Sequence, residues 1–214
     1  MKRKAIKILT VIVLSCLIMA FVERVVQPGY LVKSVLKLTI FAFGVFLCGG
    51  MKGLLRRDGI MHGVILGSVI YGTVLGAFLL FRSFIDLKTI AAGLLDKEGV
   101  TRDNFLWVAL YISVVNSFLE ELLFRGLAYL HLRRYVPEWF AMLFSAAAFA
   151  VYHVAILTGW FVWWVYGLCL LGLFLGGMIF NLLDRKGGIL PSWMAHAGAN
   201  LAINTIGLIM FGII

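Results

Sequence analysis

Glu120-Glu121-Leu122-Leu123-Phe124-Arg125 sets two adjacent carboxylates and an arginine inside an otherwise apolar run that extends from Phe105 to Leu132. Whether that run lies in water or in lipid decides what the three charges are for. The surrounding chain answers for lipid: 63% of its 214 residues are hydrophobic, 14% are charged, and the mean hydropathy is +1.03. Such a composition excludes a soluble domain and leaves room for about seven spans of ~20 residues. Ionisable groups at membrane depth cost roughly 2.5–3.5 kcal/mol each on insertion scales, so their presence there points to a site. Glu121 and Arg125 stand at i and i+4, the arrangement in which an acid pairs well with a base that follows it. Glu120, about 100° round the helix, has no partner within the motif. Taken alone, the cluster is as compatible with interhelical glue as with chemistry.

The predicted fold is all-α, a polytopic bundle of about seven transmembrane helices with one short amphipathic surface helix. It forms a single membrane domain over residues 1–214, with N-terminal spans that carry no motif over 1–82 and a four-helix core over 105–214. The first span is an uncleaved apolar run from Ile8 to Val22 behind Lys2, Arg3, Lys4 and Lys7, which predicts a cytoplasmic N-terminus. Further spans are predicted over Tyr30–Gly50, Ile60–Phe81, Phe105–Tyr135, Glu138–Leu157, Trp160–Leu183 and Pro191–Ile213, with a tight turn at Thr158-Gly159. Lys33 and Lys37, one turn apart in the second span, are expected to snorkel to the outer interface; a buried role is the alternative. Residues 83–104 mix charges with apolar residues at helical spacing. This predicts an amphipathic helix on the membrane surface, read as a linker in preference to a lid.

The loops at Lys52–Arg57, Arg133-Arg134 and Arg185-Lys186 all fall on the cytoplasmic side of a seven-span chain, so the net charge of +9 reports membrane orientation and not nucleic-acid binding. Cys16, Cys48 and Cys169 lie in apolar runs without metal-like spacing and read as inert thiols. Gly172, Gly176 and Gly177 are expected to let helix backbones approach. His62 and His131, near loop ends, are read as interfacial bystanders.

Depth brings the remaining polar residues together. Glu120 stands 17 residues before Pro137 and His153 stands 16 after it, each about 25 Å from the same turn at ~1.5 Å per residue. His196 and Asn200, four apart and therefore on one helical face, come out lower unless the last span begins inside the membrane. A wet cavity shared by three helices is the expectation.

At these residues the chain resembles the type II CAAX prenyl endopeptidase and bacteriocin-processing (CPBP, or Abi) family of intramembrane proteases. EExxxR is Glu120 to Arg125, FxxxH is Phe149 to His153, and HxxxN is His196 to Asn200, in the family's order, over about Phe118 to Leu201. The resemblance implies a catalytic centre of Glu120, His153, His196 and Asn200 supported by Glu121, Arg125 and Phe149. Its implied substrate is a peptide or membrane protein, prenylated or not, met in the lipid bilayer. A carboxylate in a poorly solvated cavity is a better base near neutrality, which fits Glu120 to activate water with His153 holding it. His196 and Asn200 would then stabilise the oxyanion, about 3–4 kcal/mol per donor in well-studied enzymes. No cofactor is expected, although Glu120, His153 and His196 also compose a possible zinc set. The competing reading is a non-catalytic membrane immunity or scaffold protein that binds a bacteriocin or another membrane partner.

Overall fold

A computed structural model of the chain describes residues 2–158 and 163–214. Among them the secondary structure is helical throughout: α1 (Lys2–Val26), α2 (Tyr30–Cys48), α3 (Ile60–Phe81), α4 (Leu87–Glu98), α5 (Arg102–Arg134), α6 (Glu138–Leu157), α7 (Trp163–Lys186) and α8 (Leu190–Met210). The expected turn at Gly159 and the start of the sixth span at Trp160 lie outside the described residues. Six of these helices are long and apolar enough to cross a membrane, so the chain is a multi-pass membrane protein. Against the expected seven or so, that measure leaves one out. The missing member is α8, which has the length, 21 residues, but carries Ser192, His196, Asn200 and Asn204 in place of apolar residues.

α5 is the axis. From Leu119 to Leu132 every residue is buried, as expected of a helix enclosed on all sides. Leu123, Phe124, Leu127 and Leu132 are fully buried, packed with Ile8 and Ile12 of α1 and Phe41 of α2. Ser145 and Asn181 join three helices by hydrogen bonds: Ser145 Oγ donates to the Phe124 carbonyl at 2.8 Å and Asn181 Nδ2 to the Met142 carbonyl at 3.0 Å. The outer faces of the spans expose Leu, Val and Phe, as a lipid-facing surface requires.

α3 and α8 cross closely because glycine lets them. A Cβ on Gly198 would stand 2.6 Å from the Gly67 carbonyl oxygen, and one on Gly67 would stand 2.8 Å from that of Met194. This small-residue seam fixes the height of α8. In α7 only Gly177 does the same, against Ala146. A Cβ on Gly172 or Gly176 would meet nothing within 4 Å, because both face away from the bundle.

α8 does start inside the protein. Ile189 donates its N–H to the Leu54 carbonyl at 2.8 Å, and Asp184 accepts from Ser192 N at 3.1 Å and Ser192 Oγ at 2.6 Å. Ile189 and Ser192 are fully buried. This raises His196 to the level of the other motifs. Two expectations fail nearby. His131 is 3% exposed and faces Gly49, because α5 is enclosed to its end. α4 is not a plain linker: Leu87, Ile90, Leu94 and Glu98 line a cavity. Its N-terminus is capped by Asp86, which accepts from the Lys88 and Thr89 amides, both at 3.1 Å.

Candidate active site

The local shape of α5 sets the position of the glutamates. The helix widens into π-helical turns over Tyr111–Asn116 and Leu122–His131, with five ordinary helical residues, Ser117–Glu121, between them. Wide turns of this kind are frequent at functional sites. Side chains on one stripe of α8 bond to α5 beside them. Trp193 Nε1 donates to the Val114 carbonyl at 2.9 Å, Asn200 Nδ2 to Ile112 at 3.1 Å and Asn204 Nδ2 to Ala109 at 3.0 Å. His196 belongs to the same stripe, which turns it toward the glutamates.

The two oxygens of Glu120 have separate surroundings. Oε1 accepts from Lys37 Nζ at 3.0 Å and from Asn116 Nδ2 at 3.0 Å, and Lys37 also donates to Asn116 Oδ1 at 2.6 Å. Oε2 faces His153 Nε2 and His196 Nε2, each at 3.7 Å. These separations are too long for direct hydrogen bonds and suit a small bridging group. Glu120 is 2% exposed.

The far nitrogens of both imidazoles are held. His153 Nδ1 lies 2.7 Å from the Phe149 carbonyl, to which only an N–H can bond. His196 Nδ1 lies 2.7 Å from Glu121 Oε1. With the proton on Nδ1, a neutral ring presents a lone pair at Nε2, so two ring nitrogens and one carboxylate oxygen converge on one point. The opposite oxygen of Glu121 pairs with Arg125 Nε at 3.1 Å. The Arg125 guanidinium lies 4.3 Å from the Phe149 ring centroid and 5.1 Å from that of Phe180. Phe149 also packs edge-on against His153 and His196, so it touches three members of the cluster at once. The charges of Lys37, Glu120, Glu121 and Arg125 cancel, which lowers the cost of burying them.

Six of the seven residues singled out by sequence, Glu120, Glu121, Arg125, Phe149, His153 and His196, therefore meet. Asn200 lies on the cavity wall, but one of its amide hydrogens is committed to Ile112, so only the second is free to donate. Lys37 departs from its expected place: its ammonium does not reach the interface but turns inward to Glu120, so that carboxylate is not wholly unpaired. Lys33, one turn earlier, instead reaches the helix ends, pairing with Glu23 of α1 at 2.9 Å and Glu98 of α4 at 2.7 Å. Asn116 is the member that sequence reasoning misses, although a polar residue one turn before Glu120 in an apolar run is a readable signal.

Glu120, His153, His196 and Asn200 line a cavity of about 710 Å³ whose walls are mostly apolar. Among the described residues no three His, Cys, Asp or Glu side chains are arranged to hold a metal ion. The Lys37 ammonium, in contact with Glu120, also opposes a dication there by simple repulsion. A family model described as Type II CAAX prenyl endopeptidase Rce1-like matches residues 102–202. No curated protein and no solved structure matches the chain.

Proposed function

Since the chain belongs, through residues 102–202, to the CPBP family that includes the Rce1-like type II CAAX prenyl endopeptidases, we propose that it is an intramembrane endopeptidase that hydrolyses a peptide bond with a water activated by Glu120. The observation that carries this reading is the meeting of Glu120 Oε2 with two imidazole Nε2 atoms, 3.7 Å from each, on the wall of a cavity.

A water at that point gives one hydrogen to Glu120 Oε2 and the other to His153 Nε2, which leaves its lone pair free to attack a carbonyl carbon. Lys37 and Asn116 hold Glu120 by its other oxygen, so the basic oxygen cannot swing away. As the new C–O bond forms, Glu120 takes the proton and later delivers it to the departing amide nitrogen while the C–N bond breaks. His196, held by Glu121 at Nδ1, and Asn200, with its second amide N–H, face the developing oxyanion. Arg125 and Phe149 hold Glu121 and the two rings in place.

The reaction as proposed uses no metal. Zinc bound there would supply a Lewis acid, and activity that survives exhaustive chelation separates the two chemistries. The N-terminus and the basic loops are cytoplasmic by the positive-inside rule. Comparison of new peptide N-termini in membranes bearing wild-type protein or Glu120→Ala tests the function. Termini that require Glu120 are expected, and identical profiles would overturn the reading.

A further inference from the structure

We infer that Tyr152 is a further catalytic residue of this site, its phenol donating a hydrogen bond to the scissile carbonyl as negative charge builds on that oxygen. The inference rests on the proteolytic reading above and adds to it a donor that none of the three motifs contains.

Adjacent residues on a helix point about 100° apart, yet Tyr152 and His153 of α6 both line the cavity, because α6 runs along its wall. Tyr152 is 5% exposed. Its ring packs against Phe41 of α2 and Phe124 of α5, with centroids 5.8 and 5.6 Å away, and stands edge-on to the His153 ring at 5.2 Å. Contacts with three rings fix the phenol beside the imidazole that faces Glu120.

The hydroxyl is placed by a charge. The Lys37 ammonium stands 5.1 Å from the Tyr152 ring centroid, beside the hydroxyl. An ammonium has three hydrogens to donate and no lone pair. Two of them go to Asn116 Oδ1 and Glu120 Oε1, which leaves the third for the phenol oxygen. Tyr152 is therefore an acceptor toward Lys37, and its own proton is free to be given elsewhere. Among the described residues no carbonyl, carboxylate or hydroxyl takes it. A buried Tyr hydroxyl ordinarily finds a partner, and the open direction here is the cavity. The ammonium behind it also polarises the O–H and strengthens it as a donor.

The reaction has a place for that donor. With its proton on Nδ1 toward Glu121, a neutral His196 presents a lone pair at Nε2 and not an N–H. One of the two amide hydrogens of Asn200 is spent on Ile112. A single remaining N–H would then face a full negative charge, and the Tyr152 hydroxyl supplies a second donor. The phenol keeps its proton throughout, and Glu120 remains the group that takes the proton from water and returns it to the leaving nitrogen.

Tyr152→Phe tests this, because it removes the hydroxyl and keeps the ring. Cleavage is measured with purified protein on a peptide spanning one of the Glu120-dependent termini. A fall of about 10²-fold or more in kcat with little change in KM is expected, the size that follows loss of one oxyanion donor, with an unchanged melting profile. Replacing Tyr152 by trifluorotyrosine adds a readout that packing alone would not move. As that more acidic phenol ionises with rising pH it loses the hydrogen it donates, so kcat should fall over a range in which wild type stays level. Wild-type kcat in Tyr152→Phe, or a trifluorotyrosine protein whose pH profile matches wild type, overturns the inference and leaves the proteolytic reading standing. Loss of that reading shows separately, as new peptide termini indifferent to Glu120.

Discussion

Replacing Lys37 by Met removes the cation from Glu120 Oε1 and leaves Asn116 as the only donor there. At 3.0 Å and an effective dielectric of ~20, the direct attraction is about 5 kcal/mol. Removing one partner of a buried pair costs about 3–5 kcal/mol in stability, because the remaining charge stays buried. The kinetic effect is smaller, since Glu120 stays in place but loses one of its two anchors. A hydrogen bond to a charged group contributes about 1.5–3 kcal/mol, which corresponds to roughly 10- to 150-fold in rate. The assay is peptide cleavage by purified protein in detergent, with thermal unfolding of the same samples. Lys37→Arg is expected to recover part of the lost rate because it restores the charge. In unfolding, Lys37→Met and Glu120→Gln should be strongly non-additive, since each removes the same contact. A Lys37→Met protein that cleaves at the wild-type rate, with unfolding effects that simply add, would refute the reasoning.

Glu121→Gln weakens the partner of both Arg125 and His196. It should lower stability by about 3–5 kcal/mol, and the double change with Arg125→Met should regain stability without regaining cleavage, both read by melting and turnover. Gly198→Val drives a side chain into the Gly67 backbone; overpacking costs about 1–3 kcal/mol, and cleavage should fall as His196 and Asn200 move with α8. The Asp86 carboxylate, which lies outside the spans, is held below its ordinary range first by the Thr89 hydroxyl and then by the Thr89 and Lys88 amides. A depressed folded value means that its capping contribution is complete above the ordinary carboxylate range and is lost as pH falls through the folded value. Deuterium uptake over residues 87–98, corrected for intrinsic exchange, should therefore rise on acidification in wild type and be high throughout in Asp86→Ala.

Much of the frame is legible in the sequence because lipid imposes simple rules on it. α3 and α6 begin and end where their apolar runs do, and the Glu121–Arg125 pair follows from helical spacing. The shared depth of Glu120 and His153 can be counted from Pro137, since straight helices rise evenly. Other features depend on contacts between distant segments. Lys37 lies 83 residues from Glu120, and a lysine in the first half of a span looks the same whether it snorkels or turns inward. The height of α8 depends on Asp184, Ile189 and the glycine seam with α3, none of which shows in its own hydropathy. α4 carries an ordinary amphipathic pattern, and only the cavity beneath it distinguishes a roof from a linker. Gly172 and Gly177 look equivalent in sequence, and the rotation of α7 separates them.

The most direct test of a Glu120-activated water is peptide cleavage by purified protein in water enriched in oxygen-18, run beside Glu120→Gln protein with an unchanged melting profile. The account predicts one heavy oxygen in the new C-terminal carboxylate with wild type and no cleavage with Glu120→Gln. Cleavage by the folded Glu120→Gln protein at the wild-type rate would contradict it.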